Sequence, residues 1–185
     1  MGEGLSMSIH VALLRAVNVV GHNKVAMSDL RGLLVDLGFA DVKSVLQSGN
    51  LVFTSDGLTG APLERLLEKE TAKCLNVTVD YVVRGADEWR KNIARNPFPK
   101  EAKSDPSHLL VMFLKSAPSV RDVEALQSAI KGPEVMRREG KQLFITYPEG
   151  IGRSKLTGNL IERKLGVRGT ARNWNTVLRL AALCE

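Results

Sequence analysis

The residues from Thr170 to Val177 set Arg172, Asn173, Asn175 and Thr176 around the indole of Trp174, where an apolar helix is expected to begin. That pattern suits an anion. A helix N-terminus exposes N–H groups and the positive end of the helix dipole. If Asn173 caps this helix, those groups point out beside Arg172, whose planar fork fits phosphate or carboxylate. Trp174 offers a flat face for a base. The bland alternative is that Asn173 is only a cap and Trp174 only a core anchor. On the functional alternative, Arg172 faces a cleft and its truncation costs well under ~1 kcal/mol of stability.

Polar side chains gather at three further places. Arg15 and Asn18 lie on an apolar strand and Asn23 and Lys24 on the loop after it, a polar stretch expected to face 170–177, and Gln47, Ser48 and Asn50 surround a second turn. Lys155, with Arg153 and Ser154, follows the glycine-bearing loop 148–152 and is expected to open a helix, in the manner of an anion-binding nest. The glycine-lysine pair of a P-loop is missing, as is any dinucleotide fingerprint, so no cofactor is expected. His10, His22 and His108 stand apart, without metal spacing or a Ser-His-Asp set. His22, in a polar loop, is the one histidine to test as an acid or base. Cys74 and Cys184 read as two reduced thiols, which with the absence of a secretory signal pattern places the protein in the cytoplasm. Met7 could serve as the start as well as Met1.

The elements that must position these groups follow from periodicity. Residues 9–18 are apolar on both parities, a strand covered on both faces. Ser28 caps a helix with Leu30, Leu33, Leu34 and Leu37 on one side, ending at Gly38. Strands at 42–47 and 50–55 are expected to turn tightly at Ser48-Gly49, unless 47–50 is a bulge within one long strand; a helix runs over 59–75, and a strand over 79–84. Strand-helix-strand-strand-helix-strand is the order of a ferredoxin-like plait. After a short helix at 86–95 and a proline-bearing stretch, the order repeats: strand 109–115, helix 120–130, hairpin 134–147, helix 153–165, strand 167–171 and an extra C-terminal helix. The expected fold is α+β, two ferredoxin-like (βαββαβ) plaits packed together. The expected domains are 7–95, a linker at 96–107, and 108–185. The halves share architecture but no obvious residues.

Charge is unevenly spread along the 185 residues, whose formal net is +6. Residues 1–95 hold 11 Lys and Arg against 11 Asp and Glu, whereas residues 150–185 hold 7 against 2. Such asymmetry points to an anionic partner near the C-terminal end, unless it is only a solvated basic face. No apolar run approaches the roughly 20 residues that span a bilayer, so no membrane partner is expected. Aromatic residues make up only 5% of the chain, which speaks against an aromatic-faced RNA-binding sheet. Oligomeric state is left open.

Two blocks resemble the bacterial domain of unknown function 1697 family. One runs from Leu14-Arg15 through Asn18, Gly21, Asn23 and Lys24, past Asp29-Leu30-Arg31, to Gln47-Ser48-Gly49-Asn50 and Phe53; the other is Gly169 to Val177. The resemblance implies two ferredoxin-like subdomains and brings no established activity. Ala16 and Val20 stand where the family pattern has glycine; if those glycines let the backbone approach a ligand closely, the side chains here oppose that approach.

The leading functional expectation is binding of a phosphate-bearing ligand, nucleotide or nucleic acid, by the basic C-terminal surface. The alternatives are an enzyme acting on a small polar metabolite in a cleft between the plaits, with Arg15, Asn18 and Gln47 orienting it, and a structural or interaction protein without a small-molecule ligand.

Overall fold

In the computed structural model, residues 6–15 and 24–185 are described. They form two four-stranded antiparallel sheets with helices, an α+β arrangement consistent with two ferredoxin-like units. By compactness the chain divides into Met1–Arg90 with Arg179–Glu185, and Lys91–Leu178.

The first half of the chain runs β1 (Ser8–Leu14), α1 (Met27–Asp36), β2 (Ala40–Val45), β3 (Asn50–Ser55), α2 (Gly60–Leu75), β4 (Tyr81–Gly85) and α3 (Ala86–Ala94). After α4 (Pro99–Ser104), the second runs β5 (Leu109–Leu114), α5 (Val120–Ala129), β6 (Val135–Glu139), β7 (Gln142–Thr146), α6 (Gly158–Leu165), β8 (Gly169–Asn173) and α7 (Trp174–Ala182). The sheets have the same order, β2-β3-β1-β4 and β6-β7-β5-β8. In each half a helix follows the closing strand at once, so the repeat includes α3 and α7 as well as the plaits.

The helix-side core of the first sheet takes Ala12, Leu14, Leu51, Phe53, Tyr81 and Val83, with Leu30 and Leu34 from α1 and Leu63 and Leu67 from α2. Val11, Leu13, Val52 and Val82, on the opposite parity, are also buried. β5 repeats this, with Leu110, Met112 and Leu114 toward the helices and Leu109, Val111 and Phe113 buried on the other face. Burial on both faces explains why neither strand alternates in sequence.

The register reveals equivalences hidden in the sequence. Arg84 pairs with Val11 and Arg172 with Val111, at the same place in each sheet. The two guanidinium groups make the same local bond, donating to the carbonyl of the preceding residue at 2.9 Å (Val83) and 2.8 Å (Ala171). The outer strands are protected in the same way. The Glu68 carboxylate accepts from Tyr81 N at 3.0 Å, and the Glu162 carboxylate accepts from Gly169 N at 3.0 Å. Each occupies an edge N–H that would otherwise invite another strand.

Three local expectations need correction. α1 starts at Met27, N-capped at Ala26 without a side-chain bond, so Ser28 lies inside its first turn. Met27 is core, and the helix must include it to bury it. The β2–β3 connection is not a two-residue turn: Val45 pairs with Asn50 across four residues, with Leu46 (φ 61°) and Gly49 (φ 79°) left-handed. α6 begins at Gly158 rather than Arg153, after a short 3-10 turn at Ile151–Arg153. The Ser154 hydroxyl accepts from Leu156 N at 3.0 Å, and the buried Tyr147 hydroxyl donates to Leu156 O at 2.9 Å. These bonds hold the chain extended up to the Thr157 cap, which accepts from Leu160 N.

Candidate functional site

Arg15 follows the last residue of β1, where Leu14 N donates to Gly49 O and Arg15 N to Asp80 O, both at 2.9 Å. This ladder sets the 46–49 turn beside Arg15 and brings together four residues expected at a site: Arg15, Gln47, Ser48 and Asn50. They differ in what they can offer. Asn50 is fully buried, and its amide donates to Val45 O and Ser48 Oγ, both at 2.9 Å, so it stitches the turn. The Arg15 guanidinium is 3.7 Å from the Asp80 carboxylate and partly exposed. Gln47 and Ser48 are at the surface, and Lys24 is exposed just before α1. Asn18 and Asn23, with Gly21 and His22, lie outside the described residues, so the facing of 15–24 toward 170–177 falls largely on them as well.

At the β8–α7 junction, Asn173 Oδ1 accepts from Thr176 N at 3.0 Å, the capping bond that its residue type favours. The N–H of Trp174 is occupied by Pro106 O at 3.2 Å. The indole is buried, tilted against Phe144 with ring centroids 6.5 Å apart. Asn175 is exposed. Arg172 is buried at 9% exposure, donating to Thr170 Oγ1 at 2.6 Å and to Ala171 O. Burial pushes its guanidinium down to about 10. The open, cleft-facing placement expected of it does not hold. The strand's parity turns its side chain onto the sheet face that also buries Val111 and Phe144.

Lys155 sits elsewhere, on the extended stretch before α6. It lines a cavity of about 450 Å³ between α5 and α6, together with Lys131, Arg153 and Lys164. Leu126, Ala129 and Ile130 at the end of α5, Pro133 beyond it, and Leu156 and Leu160 supply apolar wall. Glu134 and Glu149 are the acids in the lining, and Glu134 Oε1 accepts from the Ser154 hydroxyl at 2.5 Å. Such a volume lies in the range of small-ligand sites. Lys131 and Lys164 had no motif to mark them, because each is a single lysine at a helix end. The loop before Arg153 and Lys155 and the positive balance of residues 150–185 pointed to this region, and neither marked Lys131.

Residues 7–144 match the family model described as Protein of unknown function (DUF1697). The chain belongs to the DUF1697 family. The matched residues contain the whole first plait, whereas the Gly169–Val177 block, Lys155 and Lys164 lie beyond them. The solved structure of conserved bacterial protein SP0830 from Streptococcus pneumoniae is similar at a TM-score of 0.76 and 23% identity, covering 97% of this chain and 100% of that one. At that identity the likeness speaks for the fold alone. No protein of curated function matches the chain.

Among the described residues, no group of three His, Cys, Asp or Glu could hold a metal ion, and no helix is long and apolar enough to cross a membrane. His10 is buried, with its ring 5.6 Å from that of Phe53. Neither ring nitrogen makes a hydrogen bond among the described residues, and burial lowers its pKa.

Proposed function

We propose that the cleft between α5 and α6 binds a small phosphate-bearing molecule. The observation that carries this is the convergence of Lys131, Arg153, Lys155 and Lys164 on one concave cavity. A phosphate oxygen accepts from any of them. All four are exposed side chains lining the cavity, so their attraction for an anion is screened by salt. The cavity's volume favours one small ligand over a tracked nucleic-acid backbone. Cys74 and Cys184, which form no disulfide, fit a cytoplasmic setting.

Calorimetric titration with pyrophosphate and a nucleoside monophosphate, at low and high salt, tests the proposal. Saturable binding that weakens as salt rises is expected. Replacing both Arg153 and Lys155 with Glu should lower affinity at least about tenfold at low salt, since attraction becomes repulsion. No heat of binding at low salt would remove the proposal.

A further inference from the structure

The cationic groups of this cleft account for a phosphate, and its remaining wall says what the phosphate is attached to. The wall is aliphatic: Leu126, Ala129, Ile130, Pro133, Leu156 and Leu160, with no aromatic residue in the lining. Leu126 and Leu156 are core residues shared with the plait, so part of that wall is fixed by the fold. Ile130 and Leu160 are partly exposed at its edge. A nucleobase is normally held by stacking on an aromatic face or by hydrogen bonds to its edges. An aliphatic wall instead rewards apolar area removed from water, without regard to planarity. The cations come from the cleft's loops and a helix end: Lys131 just beyond α5, Arg153 and Lys155 before α6, and Lys164 near its C-terminus. Aliphatic wall and cationic side chains in one cavity match a molecule with an apolar chain and an anionic head.

We infer that the ligand of this site is a monomeric aliphatic phosphate, a phosphate monoester on a single hydrocarbon chain. The inference rests on the phosphate-binding role proposed above and adds the identity of the ligand's body. The occupant is a single molecule, because the site is a cavity bounded by two helices rather than a flat apolar face set against a bilayer.

The test is a titration of the full-length protein with ethyl, butyl, hexyl and octyl phosphate, each below its micelle-forming concentration, with inorganic phosphate and adenosine monophosphate for reference. Affinity should rise roughly three- to fourfold per added methylene until the wall is covered. Octyl phosphate should bind more tightly than adenosine monophosphate. Ile130→Ser and Leu160→Asn should flatten the dependence on chain length, weakening octyl phosphate far more than ethyl phosphate. Lys155→Ala should weaken all members together. The series on the unaltered protein stands even if a wall variant misfolds.

If phosphate or the nucleotide binds but chain length brings no gain, the inference is overturned and the phosphate-binding role survives. If no probe binds, both fall. A chain-length gain that persists in correctly folded Ile130→Ser and Leu160→Asn proteins places the apolar contact elsewhere and also overturns it. So does recruitment to phosphatidic-acid vesicles without binding of the monomeric series.

Discussion

The cleft between α1 and α2 in the first unit and the cleft between α5 and α6 in the second occupy corresponding places in their plaits, and their volumes are about 430 and 450 Å³. Their charges are opposite. Asp29, Asp36 and Glu70 line the first, with no cationic residue in its lining; four cationic side chains and two carboxylates line the second. The frame beneath is conserved between the halves to the level of single bonds, with Arg84 matching Arg172 and Glu68 matching Glu162. The difference teaches that the repeat maintains a scaffold while the helix-side clefts diverge. Of the two, the second cleft has the cationic lining that the proposed phosphate binding requires.

The buried arginines should give the largest effect. Arg172→Ala removes a large buried side chain and leaves Thr170 Oγ1 and the Ala171 carbonyl short of a donor, at a cost of about 2–5 kcal/mol in urea denaturation. Arg84→Ala should fall in the same range. It also loses the 3.3 Å contact between Arg84 Nε and Glu88, but that carboxylate is 42% exposed and can turn to water. Replacement of Arg172 by Met, which retains volume and drops charge, should cost much less. An Arg172→Ala protein within ~0.5 kcal/mol of the parent would break the equivalence between the two positions.

A smaller difference separates His10 from its register counterpart Leu110. His10 has a folded pKa below the ordinary 6.5 because it is buried. The unfolded chain therefore takes up the proton first as pH falls. Below about pH 6.5 stability declines toward a limiting slope of about 1.4 kcal/mol per pH unit, until the folded pKa is passed. His10→Leu should remove that decline and copy the second half. Denaturation midpoints between pH 5 and 8 that fall equally in both proteins would show that His10 contributes nothing to the acid sensitivity.

The smallest effect concerns helix starts. α5 is capped by Ser119, whose hydroxyl accepts from Asp122 N at 3.1 Å, whereas α1 begins at Ala26 with no such bond. Ser119→Ala should cost about 1 kcal/mol and Ala26→Ser should gain about 0.5 kcal/mol, measured by thermal melts. Equal and negligible changes would mean that tertiary packing alone fixes both ends.

Architecture was legible in the sequence because it is written in periodicity. The both-face burial of β1 and β5, the Asn76 stop of α2 (φ 53°) and the β6–β7 turn at Gly140 (φ 59°) each follow from local chemistry. The start of α6 was not, because Tyr147 and Glu134, which help hold 154–156 extended, are remote in sequence. The fate of Arg172 was equally hidden. A strand-to-helix junction leaves parity undecided until the register with Val111 is known. The cleft is half legible: Arg153 and Lys155 are adjacent to a glycine-bearing loop, but Lys131 reaches them only through the packing of α5 on α6. Of the first-half candidates, Arg15, Gln47, Ser48 and Asn50 gather at one sheet end, where Asn50 is the residue tied into the turn.

Mapping amide chemical shifts of the labelled full-length protein during titration with pyrophosphate at low salt tests the contrast between the clefts most directly. The account predicts saturable shifts confined to residues 129–134 and 153–164, reversed by added salt, with none along 28–37 or 70–75. Shifts centred on the first cleft, or on Arg172 with the second cleft silent, would contradict it.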